Sequence, residues 1–191
     1  MLANLHSEKD HQTLLKAWKI VITDLHEAHQ HAVLVLAGRW DNTYELLKNM
    51  THQLEMSDSV LFLGLIENVN ALIADSDICV FSSKLEGCPN SVLECMALKK
   101  AVVATDIAGV RQALGEEYRD YCLTPIQHHE DMAKKLFWLL QHPQLCEEIG
   151  AYNYRRVCRL FSLEGMVTAY LQLIYQAIST RQPTKADYMG R

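Results

Sequence analysis

A chain of 191 residues, 49% hydrophobic and 21% charged, is long enough for one large domain with a real core, and this composition excludes disordered, collagen-like and low-complexity classes. The formal net charge of -5 supplies no global basic field, so nucleic acid is not an expected partner and any anionic ligand must be held locally. Cysteines scattered without a CxxC pair, no apolar run near about 20 residues, and a start without signal- or transit-peptide character point to a reducing, cytoplasmic setting.

In chain order the periodicity alternates between helix and strand. Asp10 can cap a helix with the apolar stripe Leu14, Leu15, Trp18, Ile22 and Leu25, and the apolar run from Ala32 to Ala37 follows, closed by Gly38. A run apolar at every position suits a strand covered on both faces. A helix through Tyr44, Leu47 and Leu54 leads to a strand from Val60 to Gly64, and a short helix near Val69 to Ile73 leads to a strand from Ile78 to Phe81. A helix from Pro89 to Leu98 precedes a strand from Ala101 to Ala104, and one near Val110 to Leu114 precedes a short strand at Tyr121, Cys122 and Leu123.

Strict alternation of this kind predicts an α/β fold, a Rossmann-like parallel sheet sandwiched by helices with right-handed crossovers. After Pro125 the pattern is helical only, over roughly Glu130 to Gln141, Pro143 to Leu160 and Leu163 to Ile178, and residues 179–191 read as a mobile tail. Met1, Leu2 and Ala3 read as the stub of a strand, so residues 1–178 are expected to form a domain whose first strand is cut short.

The informative segment runs from Ser82 to Ala97 and joins a buried strand to a helix that Pro89 can start. In an open parallel sheet ligands sit at the carboxyl ends of the strands, and free N–H groups at a helix start suit a phosphate. Glu86 falls in the loop and Glu94, eight residues on, in the helix. Carboxylates beside an anion site make sense for a ligand that also carries hydroxyls. A nucleoside diphosphate sugar satisfies both requirements; a bare phosphate does not.

The pattern S-x-x-E-G-x-x-x-x-x-L-E-x-M-A, preceded by A-x-x-D-I-x-V, together with the segments Ala3 to His11, Val60 to Gly64, Val102 to Asp106 and Phe161-Ser162, resembles the C-terminal donor-binding domain of the retaining glycosyltransferases of family 4, which have the GT-B fold. The resemblance covers roughly residues 3 to 178. It implies that Lys9 and Glu86 are the catalytic groups, Lys9 on the donor diphosphate and Glu86 on the transferred sugar, with the Gly87, Cys88, Pro89, Asn90 and Ser91 segment. It further implies Glu94 on the ribose hydroxyls, Asn4 beside the diphosphate, and the backbone at Leu65 and Ile66 at the base, which family frequency makes a uracil. No metal and no cofactor are implied. The acceptor would be held by an N-terminal domain lying outside this sequence, through which any peripheral membrane association would run. Without that domain the chain is expected to be inactive and to self-associate through Tyr170, Leu173, Ile174, Tyr175 and Ile178.

The sequence departs from the family pattern where an arginine is common and Asn4 stands, where a glycine and a proline follow the motif helix and Lys99 and Ala101 stand, at Ala108-Gly109, where two glycines are frequent, and at Gln112, where a glutamate is frequent. Other readings stay open beside this one. Glu86 and Glu94 taken singly are ordinary loop and helix residues, and Lys9 an ordinary surface lysine. The H-x-x-H-x-H spacing of His26, His29 and His31 lacks a cysteine and fits a solvated cluster better than a metal site. Cys88 has no base beside it. The competing function is a non-catalytic Rossmann-like binding module or an inactive fragment; a dinucleotide oxidoreductase is disfavoured because no G-x-G-x-x-G occurs.

Overall fold

The computed structural model describes residues 1–27 and 30–179. His29 and the tail beyond Ser179 lie outside the described residues. The chain opens with residues 1–3 in extended form and a 3-10 turn at Ser7–Lys9, then runs α1 (His11–Glu27), β1 (Leu34–Ala37), α2 (Tyr44–Gln53), β2 (Val60–Gly64), α3 (Val69–Asp75), β3 (Ile78–Phe81), α4 (Asn90–Ala97), β4 (Ala101–Thr105), α5 (Ala108–Leu114), α6 (Arg119–Cys122), β5 (Leu123–Thr124), α7 (His129–Leu140), α8 (Pro143–Leu160) and α9 (Leu163–Ser179).

All strand pairs are parallel. β1 pairs with β2, Leu34 opposite Val60, and β4 lies between β3 and β5, with Val80 opposite Val103 and Ala104 opposite Leu123. Residues 1–3 fill the seam between these two groups. Leu2 bridges to Ala37, the Ala3 amide donates to the Ala37 carbonyl and the Ala37 amide to that of Met1, both at 3.0 Å. On the far side Met1 and Leu2 share a cavity of about 20 Å³ with Ile78, Cys79 and Phe81. Where a strand stub is expected, residues 1–3 make a single parallel bridge, at Leu2, on the β1 side.

Burial follows position in the sheet. β4 is buried at every residue, as a central strand crossed by helices on both faces must be. β2 differs from the expectation of two covered faces: Leu61 and Leu63 are 46% and 44% exposed, because β2 is an edge strand with one face open. Two further boundaries are corrected. Ala32 and Val33 lie outside β1, and Tyr121 and Cys122 close the short helix α6, leaving only Leu123–Thr124 to pair with β4.

The helices cover the sheet through the stripes that their spacing predicts. Of the stripe expected in α1, Leu14, Leu15, Trp18 and Leu25 are buried, but Ile22 is only half-buried and Val21 takes its place in the core; the helix packs on α7, while α4 packs on α8. α9 behaves otherwise: none of its residues is buried, and Met166, Tyr170, Leu171, Leu173, Ile174, Tyr175 and Ile178 all face outward. The helical run from Pro143 to Ser179, whose first part α8 is packed on the domain, holds an 18-residue window long and apolar enough to cross a membrane, only 6% of it buried.

Candidate functional site

Five turns meet at the carboxyl edge of the sheet, and the sequence explains why each is there. After residues 1–3 the chain turns through Ser7–Lys9 into Asp10, whose left-handed backbone (φ 49°) redirects it into α1. Aspartate tolerates this region better than most residues. The Asp10 carboxylate accepts the Thr13 hydroxyl at 2.8 Å, so the residue expected to cap α1 does hold its first turn.

After β1, Gly38 passes so close to residues 3 and 4 that an added Cβ would lie 2.1 Å from the Ala3 carbonyl oxygen. Its amide donates to the Gly64 carbonyl at 2.9 Å, which ties the end of β1 to the end of β2. Leu65, 77% exposed, and half-buried Ile66 follow on the rim. Trp40 stacks on Tyr44 with ring centroids 4.4 Å apart and also lies against Gly64.

After β3 comes the Ser82 to Pro89 loop. Ser82 and Ser83 are buried, and the Ser82 hydroxyl donates to the Lys9 carbonyl at 2.9 Å while the Lys84 amide donates to the Glu8 carbonyl at 2.9 Å. These bonds lock the loop to the Lys9 turn. The Lys9 ammonium forms an ion pair with the Glu86 carboxylate, which also accepts the Ser83 hydroxyl at 2.8 Å. Both members of the pair are partly shielded, with side chains 29% and 20% exposed. Two residues 77 positions apart thus converge, and they are the two that the resemblance implies as catalytic groups.

The other implied donor residues are placed around this pair. Gly87, Cys88 and Asn90 are exposed, Pro89 is buried and Ser91 half-buried. Pro89 occupies the position before α4 rather than its first residue, and the helix starts at Asn90. The Cys88 thiol donates to the Asn90 side-chain oxygen at 3.4 Å and meets no base. Glu94 is exposed on α4, and its carboxylate makes no hydrogen bond or ion pair among the described residues. The structure brings Glu86 to Lys9 and leaves Glu94 unengaged. Asn4 is exposed and its side-chain oxygen accepts the Arg39 amide at 3.0 Å.

Gly109, at the start of α5, presses on this loop. An added Cβ would sit 2.4 Å from the Gly87 carbonyl oxygen and 3.0 Å from that of Glu86. Of the two positions Ala108 and Gly109, the one that keeps glycine is the one with no room for a side chain. Nearby, Asp106 accepts from Arg111 at 2.6 Å and Arg119 at 3.1 Å. Burial raises the Asp106 pKa, but the two guanidinium groups outweigh it and the carboxyl lies below its usual range. A cavity of about 380 Å³ lies elsewhere, lined by Ile22, His26, Gln30 and His31 at the end of α1 and the approach to β1. It shares no residue with the Lys9 and Glu86 cluster.

Residues 1–156 match the family described as "Glycosyl transferases group 1". The chain belongs to that family. Its relatives include the putative glycosyltransferase EpsD of Bacillus subtilis, 30% identical over 82% of this chain and 40% of that protein, and the N-acetyl-alpha-D-glucosaminyl L-malate synthase of Bacillus anthracis, 25% identical over 93% and 45%. The chain therefore spans less than half the length of these curated relatives. Among solved structures, a TarM mutant of S. aureus with UDP bound superposes with a TM-score of 0.82 at 20% identity, over 90% of this chain and 34% of that one. Anabaena Alr3699/HepE in complex with UDP gives 0.78 at 19%, over 94% and 48%. The group 1 fold is that of the GT-B glycosyltransferases, as the motif segment implied.

Sequence reasoning missed three features of this group 1 edge. Arg39 and Trp40, next to Asn4 and Leu65, gave no signal because the loop after β1 carries no motif. The contact of Gly109 with Gly87 is invisible in one dimension. His11, buried and with neither ring nitrogen hydrogen-bonded among the described residues, reads in the sequence as one more polar residue at a helix start.

Proposed function

We propose that this chain is the donor-binding half of a retaining, metal-independent glycosyltransferase that takes a nucleoside diphosphate sugar, UDP-linked by preference, and passes the sugar to an acceptor held by the remainder of the protein. The observation that carries the reading is the ion pair between Lys9 and Glu86 across two loops at the carboxyl edge of the sheet, where parallel sheets of this kind hold their ligands. A short relative span and UDP in TarM and HepE agree with it.

In this reading Lys9 faces the diphosphate as it departs and stabilises the charge that develops there. Glu86 accepts hydrogen bonds from the hydroxyls of the transferred sugar with the backbone of Gly87 to Asn90, and its bond from Ser83 and pairing with Lys9 hold it in one rotamer before substrate arrives. Glu94 has its acceptor oxygens free for the ribose hydroxyls. Leu65 and Ile66 lie at the rim where the base would rest against backbone.

Calorimetric titration with UDP in EDTA tests this. The wild-type chain should bind, and Glu94→Ala should weaken UDP by about 1.5–3 kcal/mol, the worth of a charged hydrogen-bond acceptor. Binding that collapses in EDTA and returns with manganese would overturn metal independence, and unchanged affinity in the variant would remove Glu94 from the site.

A further inference from the structure

A nucleotide diphosphate brings at least two negative charges to an edge whose positive charge is largely spoken for. Lys9 is paired with Glu86, and the Lys84 ammonium lies 4.0 Å from the Asp10 carboxylate. Arg111 and Arg119 are both engaged by Asp106. One cation among the described residues of the edge loops is left over. Arg39 is exposed in the loop after β1, and its guanidinium makes no hydrogen bond or ion pair among the described residues.

Its backbone, in contrast, is fixed. The Arg39 amide donates to the Asn4 side-chain oxygen at 3.0 Å, its carbonyl accepts the Leu5 amide at 3.0 Å, and Gly38 before it packs so closely that an added Cβ would lie 2.1 Å from the Ala3 carbonyl oxygen. Asn4 in turn is joined to the Lys9 turn, because the His6 amide donates to the Asn4 carbonyl at 2.7 Å and the Lys9 amide to that of His6 at 3.0 Å. An anchored stem carrying a free guanidinium beside the Lys9 turn is suited to bidentate capture of a phosphate.

We propose that Arg39 supplies the second positive charge of the diphosphate site, and that Asn4 acts through it as a positioning residue by holding its amide. The inference rests on the donor-site reading above. It also accounts for an asparagine at position 4: a short amide there ties down the neighbouring loop, and the charge comes from that loop.

The test uses the full 191-residue chain, with UDP, uridine and inorganic pyrophosphate as probes over a range of salt. Arg39→Gln should weaken UDP and pyrophosphate by about ten-fold or more, leave uridine unchanged and flatten the salt dependence of UDP binding. Arg39→Lys should keep part of the affinity, and Asn4→Ala should weaken UDP to a smaller degree with an unchanged salt slope. Equal UDP affinity in the wild type and Arg39→Gln would overturn the assignment while leaving the donor site standing. Equal weakening of UDP and uridine would also overturn it, since the role would then lie with the loop or the base. Failure of the wild type to bind UDP and pyrophosphate at all would overturn the donor-site reading and this inference with it.

Discussion

His11 is a residue whose environment makes a prediction that its neighbours do not. Burial above all, then the positive charges of the amino terminus and Lys9, hold its imidazole well below the ordinary 6.5, at about 3. The folded state therefore keeps it neutral where the unfolded chain takes up a proton. Its contribution to stability is complete above about pH 6.5 and is lost as pH falls toward 3, with a limiting slope of about 1.4 kcal/mol per pH unit. Urea unfolding at pH 7 and pH 4.5 should show a smaller acid loss for His11→Leu than for the wild type. The variant should also gain about 1 kcal/mol at pH 7, because two unpartnered ring nitrogens leave the core. Gly109→Ala should do the reverse of what helix propensity suggests. Alanine is favoured in a helix by about 1 kcal/mol, yet its methyl would meet the Gly87 carbonyl, so the variant should lose about 1–3 kcal/mol of stability and, on the proposed function, bind UDP more weakly as the Ser82 to Pro89 loop is displaced. An affinity equal to wild type would mean that the loop position is not set by α5.

The elements were legible in the sequence to the extent that burial is symmetric. β3 and α8 fall where their apolar patterns end, because Ile78 to Phe81 is a short apolar run bounded by Asp77 and Ser82, and Pro143 marks a helix start. The failures lie where pairing, not pattern, decides. Tyr121 and Cys122 are apolar enough for a strand, but β4 offers partners only to Leu123 and Thr124. Leu61 and Leu63 read as core, but the edge of a sheet has only one covered face. The motif singles out Lys9, Glu86 and Glu94, of which the fold brings Lys9 and Glu86 together, whereas nothing in one dimension places Arg39 against Asn4. The end of α4 is a further case. Lys99 takes the left-handed conformation (φ 57°) at a position where glycine is usual, the Lys100 amide reaches back to the Cys95 carbonyl, and Gly150 of α8 packs on the Lys99 carbonyl. Lys99→Gly should keep this turn and raise stability by about 0.5–1 kcal/mol, since the cost of a left-handed side chain is removed. A lowered midpoint in thermal unfolding would show that the Lys99 ammonium, 5.0 Å from the Tyr154 ring, matters more than the backbone.

At the scale of the molecule two faces stand open: the carboxyl edge of the sheet and α9. An exposed row from Leu163 to Ile178 exceeds what a solvated helix needs, and apolar surface of that extent favours association. We expect the isolated chain to self-associate, Leu171→Lys with Ile174→Lys to sediment as a monomer, and UDP affinity to be the same in both. Sugar transfer should require the rest of the protein, so transfer by this chain alone would overturn the half-site view. The seam filled by residues 1–3 has a different consequence. It separates a pair of strands beneath the expected base from a trio beneath the expected sugar, and its one bridge, Leu2 to Ala37, is to the pair. The trio contains the all-buried β4, and the pair ends in an open edge. Amides of β1 and β2 should therefore exchange with deuterium faster than those of Val102 to Ala104, through partial openings that leave the trio intact. A ligand lying from Leu65 across to Glu86 would span that division and close it, so bound UDP should slow exchange most in β1 and β2, at amides it never touches.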